Sequence, residues 1–182
     1  TANARGVDTL GEVTAATFAP WGFTPKYIPA ENPDYGNHLV LKRNGRSGRT
    51  IALVSHLDTV FPPEEEIAND FGWRQEGNRI YGPGTVDIKG GTVAMYMLLD
   101  ALQTFAPDLY NDITWLLLFN AAEEVIAPDF GDLCRVRLEE ADVLACLVFE
   151  GGARVDDTYK LVVARKGMAV GQVNVTGKAA HA

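Results

Sequence analysis

Tyr81-Gly82-Pro83-Gly84-Thr85-Val86-Asp87-Ile88-Lys89-Gly90-Gly91 is followed at once by an apolar helical pattern, Thr92 to Phe105. Four glycines and a proline in eleven residues make a shaped loop, because glycine tolerates positive φ and close backbone approach. One acid, Asp87, stands at its centre. An acid before a helix suits a cap, since the orphan N–H groups there favour an anion. It suits a metal ligand when other donors converge on it. His56-Leu57-Asp58, Glu123-Glu124 and Glu150 each stand at the end of an apolar, strand-like run, and that company favours the ligand reading.

Outward from this loop, strands alternate with helices. On the N-terminal side, Thr9 to Phe18 reads as an amphipathic helix ended by Pro20 and Gly22, and Thr24 to Pro29 as a short extended piece. His38–Lys42 and Thr50–Ser55 read as two neighbouring strands joined by the hairpin-like Arg43-Asn44-Gly45-Arg46-Ser47-Gly48. Ile51-Ala52-Leu53-Val54 is continuously apolar, as in a central strand covered on both faces. Phe61 to Asn78 reads as an acidic surface loop. On the C-terminal side, Thr114–Phe119 and Val143–Phe149 read as buried strands flanking a helix over Phe130–Glu140. The expected fold is α/β, with helices on both faces of a mostly parallel sheet. Met168 to Val175 alternates apolar and polar residues, as in a half-exposed antiparallel strand. This divides the chain into residues 1–165 and the start of a second domain, 166–182, and gives it the look of part of a longer protein.

Composition narrows the function classes. A 47% hydrophobic and 22% charged chain of 182 residues is ordinary for a globular protein. Its net charge of −8 opposes phosphate tracking along nucleic acid and binding to anionic membranes. No apolar stretch reaches the ~18–20 residues that span a bilayer. Cys134 and Cys146 have neither zinc-finger spacing nor a disulfide framework, and read as core thiols. No signal peptide is visible, but the chain begins at Thr1 rather than Met. A cytoplasmic site is favoured, with a secreted or periplasmic one as the alternative.

The acids and the histidine then define a chemistry. Sites in open α/β sheets form outside the carboxyl ends of the strands. His56, Glu123-Glu124 and Glu150 all fall at such ends, and Asp87 sits on the glycine loop. One imidazole with several carboxylates suits a catalytic divalent ion rather than a closed structural site. His56 and Asp58, two apart in extended chain, can face the same way, so that Asp58 orients the imidazole; a strand-end histidine paired with a nearby acid is the plainer alternative. Of the adjacent Glu123 and Glu124, one could bind metal while the other takes a proton from activated water. An exposed loop pair is the competing reading.

These stretches together resemble one metallopeptidase group. The resemblance rests on Ser55-His56-Leu57-Asp58-Thr59-Val60, the Tyr81–Gly91 loop, Glu123-Glu124, Phe149-Glu150 and the closing Val175-Thr176-Gly177-Lys178-Ala179-Ala180-His181-Ala182. The group comprises the co-catalytic zinc exopeptidases and deacylases that include glutamate carboxypeptidase, aminoacylase, acetylornithine deacetylase and succinyl-diaminopimelate desuccinylase. It implies a three-layer α/β/α catalytic domain followed by a lid or dimerisation domain, and hence a homodimer. It implies two Zn2+ ions, with Co2+ or Mn2+ as substitutes, bridged by Asp87. His56 and Glu150 would complete one ion's ligands and Glu124 would bind the other. Glu123 would be general base and acid, Asp58 the orienting partner of His56, and His181 a donor to the oxyanion. The implied reaction is hydrolysis of an amide in a small peptide or N-acyl amino acid by metal-activated water. A dizinc aminopeptidase or dipeptidase, and a non-catalytic binding protein on the same fold, are the alternatives. Two features depart from the pattern. Val125-Ile126-Ala127-Pro128-Asp129-Phe130-Gly131 replaces the usual Gly-Ser-containing turn, and the histidine that closes the second zinc site would lie beyond Ala182.

Overall fold

The computed structural model describes residues 3–152, 154–156, 158–164, 171–174 and 176–177. In the first unit, Thr1–Gly151, the strands are β1 (Thr24–Pro29), β2 (Asn37–Arg43), β3 (Arg49–His56), β4 (Arg74–Glu76), β5 (Arg79–Tyr81), β6 (Thr114–Asn120) and β7 (Asp142–Val148). The α-helices are α1 (Ala4–Phe18), α2 (Pro63–Ala68), α3 (Gly90–Phe105), α4 (Pro107–Asp112) and α5 (Pro128–Glu139).

Every residue of β6 is buried. A strand this apolar, Thr114-Trp115-Leu116-Leu117-Leu118-Phe119-Asn120, loses water from both faces only at the middle of a sheet. It takes that place: the five-stranded sheet runs β1-β2-β6-β3-β7. The α/β class stands, but the sheet is evenly mixed rather than mostly parallel. β3 pairs with β6 and β7 in parallel, while β2 pairs antiparallel with β1 and β6.

The expected β2–β3 hairpin does not form, because β6 is inserted between the two strands. Their connector crosses the start of β6 instead. Arg46 and Ser47 donate backbone N–H groups to the carbonyls of Asn111 and Asp112 (3.1 and 3.0 Å), and Gly45 N–H donates to Thr114 Oγ1 (3.0 Å). Any side chain at Gly45 would collide with the Ile113 backbone. That contact explains the glycine better than a hairpin turn does.

Helices cover both faces. On one, Phe18 of α1 and Met95 and Leu99 of α3 pack on Leu41, Leu53, Leu117 and Phe119. On the other, Phe130, Leu133 and Leu138 of α5 pack on Val40, Ala52, Leu116 and Leu118. β7 is an exposed edge rather than a buried strand, and Cys146 on it is exposed rather than a core thiol, because among the described residues β7 pairs only with β3 and no strand lies beyond it. The stretch read as a loop, Phe61–Asn78, contains α2 and most of the β4–β5 hairpin. Pro at the first turn starts α2 where local composition suggested only solvated chain.

The second unit, Gly152–Ala182, contains a two-stranded pairing of β8 (Arg154–Val155) with β9 (Thr158–Tyr159). Of the strand expected over Met168–Val175, residues 171–174 are described and form no strand; the other half of it, and His181, lie outside the described residues.

Candidate metal centre

The carboxyl ends of the three parallel strands lie side by side, and the candidate donors emerge from them. His56 closes β3, Glu150 follows β7 by two residues, and Glu123-Glu124 form a short 3-10 turn, Glu123–Val125, just past β6. Parallel register holds them level: His56 pairs with Asn120, and Phe149 N–H donates to the Val54 carbonyl at 2.9 Å.

Asp87 comes from the glycine loop and is no helix cap. Residues Thr85–Lys89 form one π-type turn in which Asp87 and Ile88 are not helical, joined by a cis peptide. The carboxylate leaves α3 and meets His56, Oδ1 to Nε2 at 2.9 Å. Two glycines make this possible. Gly84 has φ +67°, and a side chain there would run into Lys89 Nζ. At Gly91 a Cβ would stand 2.8 Å from the buried Ile88 side chain and 3.1 Å from the Phe149 carbonyl oxygen. Gly91 thus lets the start of α3 lie against the residue that precedes Glu150.

His56, Asp87 and Glu150 each offer an atom within 4.8 Å of the others, with Glu150 Oε1 3.8 Å from Nε2. The imidazole is buried, while the two carboxylates reach solvent. Asp58 lies behind it, its Oδ1 and its backbone carbonyl both 3.2 Å from Nδ1. Burial works against a charged imidazole here. The hydrogen bond to Asp58 and its charge, the hydrogen bond to Asp87 and the charge of Glu150 outweigh it, and raise the pKa to about 9. Burial raises the Glu124 carboxyl pKa, and the charges of Asp87, Asp58 and Glu123 push it further, against the opposing pull of His56. Glu150 is raised by burial and by Asp87 and Glu123, again against His56. Mutually repelling carboxylates around one imidazole are the donor set that a hard or borderline divalent cation neutralises. The residues present fit such an ion.

The sequence did not disclose how Asp58 is shared. Its two carboxylate oxygens accept the backbone N–H groups of Glu123 (3.0 Å) and Glu124 (3.2 Å). One buried carboxylate therefore binds the histidine of β3 to the Glu turn of β6. The acid's position two residues after His56 suggested the first contact, but nothing local pointed to the second. Glu124 stands outside the triplet of converging atoms yet interacts electrostatically with Asp87 and His56. A cleft of about 920 Å³ opens beside Asp58, Lys89 and Glu124, walled in part by Leu10, Val13 and Phe61. Desolvation lowers the Lys89 pKa against the opposing charges of Glu66 and Asp58.

A family model, peptidase family M20/M25/M40, matches residues 52–178, more than two thirds of the chain. The chain belongs to this family. Its M20 relatives include carboxypeptidase G2 of Pseudomonas sp. (strain RS-16), 35% identical over 182 residues, which are all of this chain and 42% of that protein. A succinyl-diaminopimelate desuccinylase of Corynebacterium glutamicum is 32% identical over 111 residues, 61% of this chain and 28% of the relative. The chain thus spans less than half the length of these M20 relatives. Among solved structures, an M20 family metallo-carboxypeptidase from Sulfolobus solfataricus superposes with a TM-score of 0.57 at 18% identity, over 84% of this chain and 34% of that one. That likeness supports the M20 catalytic-domain fold.

Proposed function

We propose that the chain is the catalytic half of a zinc-dependent amidohydrolase that releases an amino acid from a small peptide or an N-acyl amino acid. The observation that carries this reading is the convergence of His56, Asp87 and Glu150 within 4.8 Å, level with the Glu123-Glu124 turn. The names of the relatives, a carboxypeptidase and a desuccinylase, support hydrolysis of an amide next to a carboxylate-bearing residue.

His56, Asp87 and Glu150 would hold one zinc ion, and Asp87 and Glu124 a second. When bound, the ions supply Lewis-acid polarisation and activation of water near neutral pH. The chain's own residues do the rest. Asp58, through Nδ1, holds the imidazole tautomer that turns Nε2 toward the acids. Glu123 takes the proton of the attacking water and returns it to the leaving nitrogen. The cleft beside Glu124 and Lys89 gives the substrate its approach. His181, from a domain beginning near residue 166, would donate to the oxyanion, with the same domain pairing two subunits.

Replacing Glu123 by Gln in the full-length protein is the test. Gln cannot accept the proton, so kcat should fall by roughly 10²–10⁴-fold with zinc content unchanged. Substrates would be N-acyl amino acids, C-terminal glutamate conjugates and free-amine dipeptides. Near-normal turnover in that variant would remove Glu123 from the base role. Activity confined to free-amine dipeptides would move the assignment to a dipeptidase.

A further inference from the structure

Between β6 and α5 the chain carries the Glu123-Glu124 turn on a segment that cannot hold its own shape. Ile126 sits at φ +61°, a left-handed conformation that a β-branched side chain adopts only when its surroundings impose it. Few backbone bonds close within the segment: Ile126 N–H donates to the Glu123 carbonyl and Phe130 N–H to that of Ala127, both at 3.2 Å.

What imposes the shape is a histidine on β2. The His38 ring is buried, 1% exposed, and packs at a tilt against Phe130, with ring centroids 5.2 Å apart. Its Nδ1 lies 3.0 Å from the Ala121 backbone N–H. That group can only donate, so Nδ1 is the unprotonated nitrogen and the ring's proton sits on Nε2. Nε2–H then donates to Asp129 Oδ2 at 3.0 Å. Asp129 is locked in turn by the Glu31 N–H at 2.6 Å. One imidazole thereby fixes both ends of the span from Ala121 to Asp129, and Asp58 fixes its middle through the amides of Glu123 and Glu124.

We infer that His38 is a positioning residue for the Glu123-Glu124 pair, acting through the Ala121–Asp129 span rather than by touching metal or substrate. This rests on the role proposed for Glu123. A one-ångström displacement of a base costs up to about 10²-fold in rate, so the clamp's loss should be read in kcat.

The test uses the full-length, zinc-loaded protein and the best-turned-over member of the amide panel above. His38→Phe keeps a ring against Phe130 and removes both hydrogen bonds. It should lower kcat by about 10–100-fold and leave KM and the zinc bound at His56 unchanged. The same substitution in a Glu123→Gln background should cost clearly less, because the base is already gone and only Glu124 remains to be displaced. Asp129→Ala, at the half-buried end of the clamp, should lower kcat in the same direction and guards against misfolding of the His38 variant. Ring 15N shifts of the wild type should show the Nε2–H tautomer of His38, a readout independent of turnover. Equal losses from His38→Phe in both backgrounds, unchanged kcat in folded His38→Phe or Asp129→Ala protein, or an Nδ1–H tautomer would each overturn the inference. Near-normal turnover of Glu123→Gln alone would overturn the proposed base, and this inference with it.

Discussion

His56 shows how one side chain answers to several neighbours. Burial disfavours its charge, yet Asp58, Asp87 and Glu150 hold the pKa near 9. In the metal-free protein the imidazole is therefore a cation at neutral pH, lying where the carboxylates need one. Its pKa is raised above the ordinary 6.5, so the stability it contributes is fully present below pH 6.5 and is lost as pH rises through about 9. A metal ligand must be neutral, so metal and proton compete for this ring. Zinc affinity of the metal-free protein should rise about tenfold per pH unit toward pH 9 and then flatten, through release of one proton at His56. Protons leaving Glu124 and Glu150, whose pKa values are also raised, should steepen the acid end. Calorimetric zinc titrations in buffers of different ionisation enthalpy would count those protons. Affinity independent of pH between 6.5 and 9 would place the ion away from His56.

The strand ends were legible in the sequence because a buried strand that runs out into acids leaves little choice about where those acids go. His56 and Glu150 were singled out in this way and Asp87 by its glycine-rich loop, and α1, α3 and α5 followed from their apolar spacing. The strand order was not legible. β2 and β3, separated by a short polar connector, read as a hairpin, yet β6 lies between them. That outcome depends on which strand is most apolar across the whole sheet, a comparison no local window makes. The shared role of Asp58 and the clamp of His38 were hidden for a related reason. His38 and Asp129 lie 91 residues apart, as do no two members of a local motif. Glycine 91 was visible as a loop residue, but its function depends on the element it approaches. Gly91→Ala adds a methyl group against Ile88 and the Phe149 carbonyl. Forcing extra volume into such a contact costs about 1–3 kcal/mol. The same displacement moves Asp87 away from Glu150, so denaturant stability and zinc affinity should fall together. A stability loss with unchanged zinc affinity would show that α3 yields in a direction that spares the acids.

Across the whole molecule, two features govern what a polypeptide of residues 1–182 can do. The first is the supply of imidazoles. Of three histidines in the sequence, His38 is engaged by Ala121 and Asp129, and His181 lies outside the described residues. Among the described residues, His56 alone stands with the converging acids. A catalytic zinc normally keeps three protein ligands and an open position. His56, Asp87 and Glu150 meet that count, whereas Asp87 and Glu124 fall one short. The second feature is the β7 edge. Leu144, Leu147 and Val148 are 51%, 40% and 64% exposed there, and among the described residues β7 pairs only with β3. An exposed apolar edge recruits other chains. Purified 1–182 should therefore self-associate, and Leu144→Lys should suppress this, since a lysine on an edge strand opposes further pairing. Light scattering would follow that change. In the soluble variant, zinc analysis should find one tightly held ion per chain and a second that is removed readily by dialysis, with little amidase activity. Two equally tight ions with full turnover would show that Glu124 and Asp87 need no further protein ligand, and would overturn the division of ligands between the two ions.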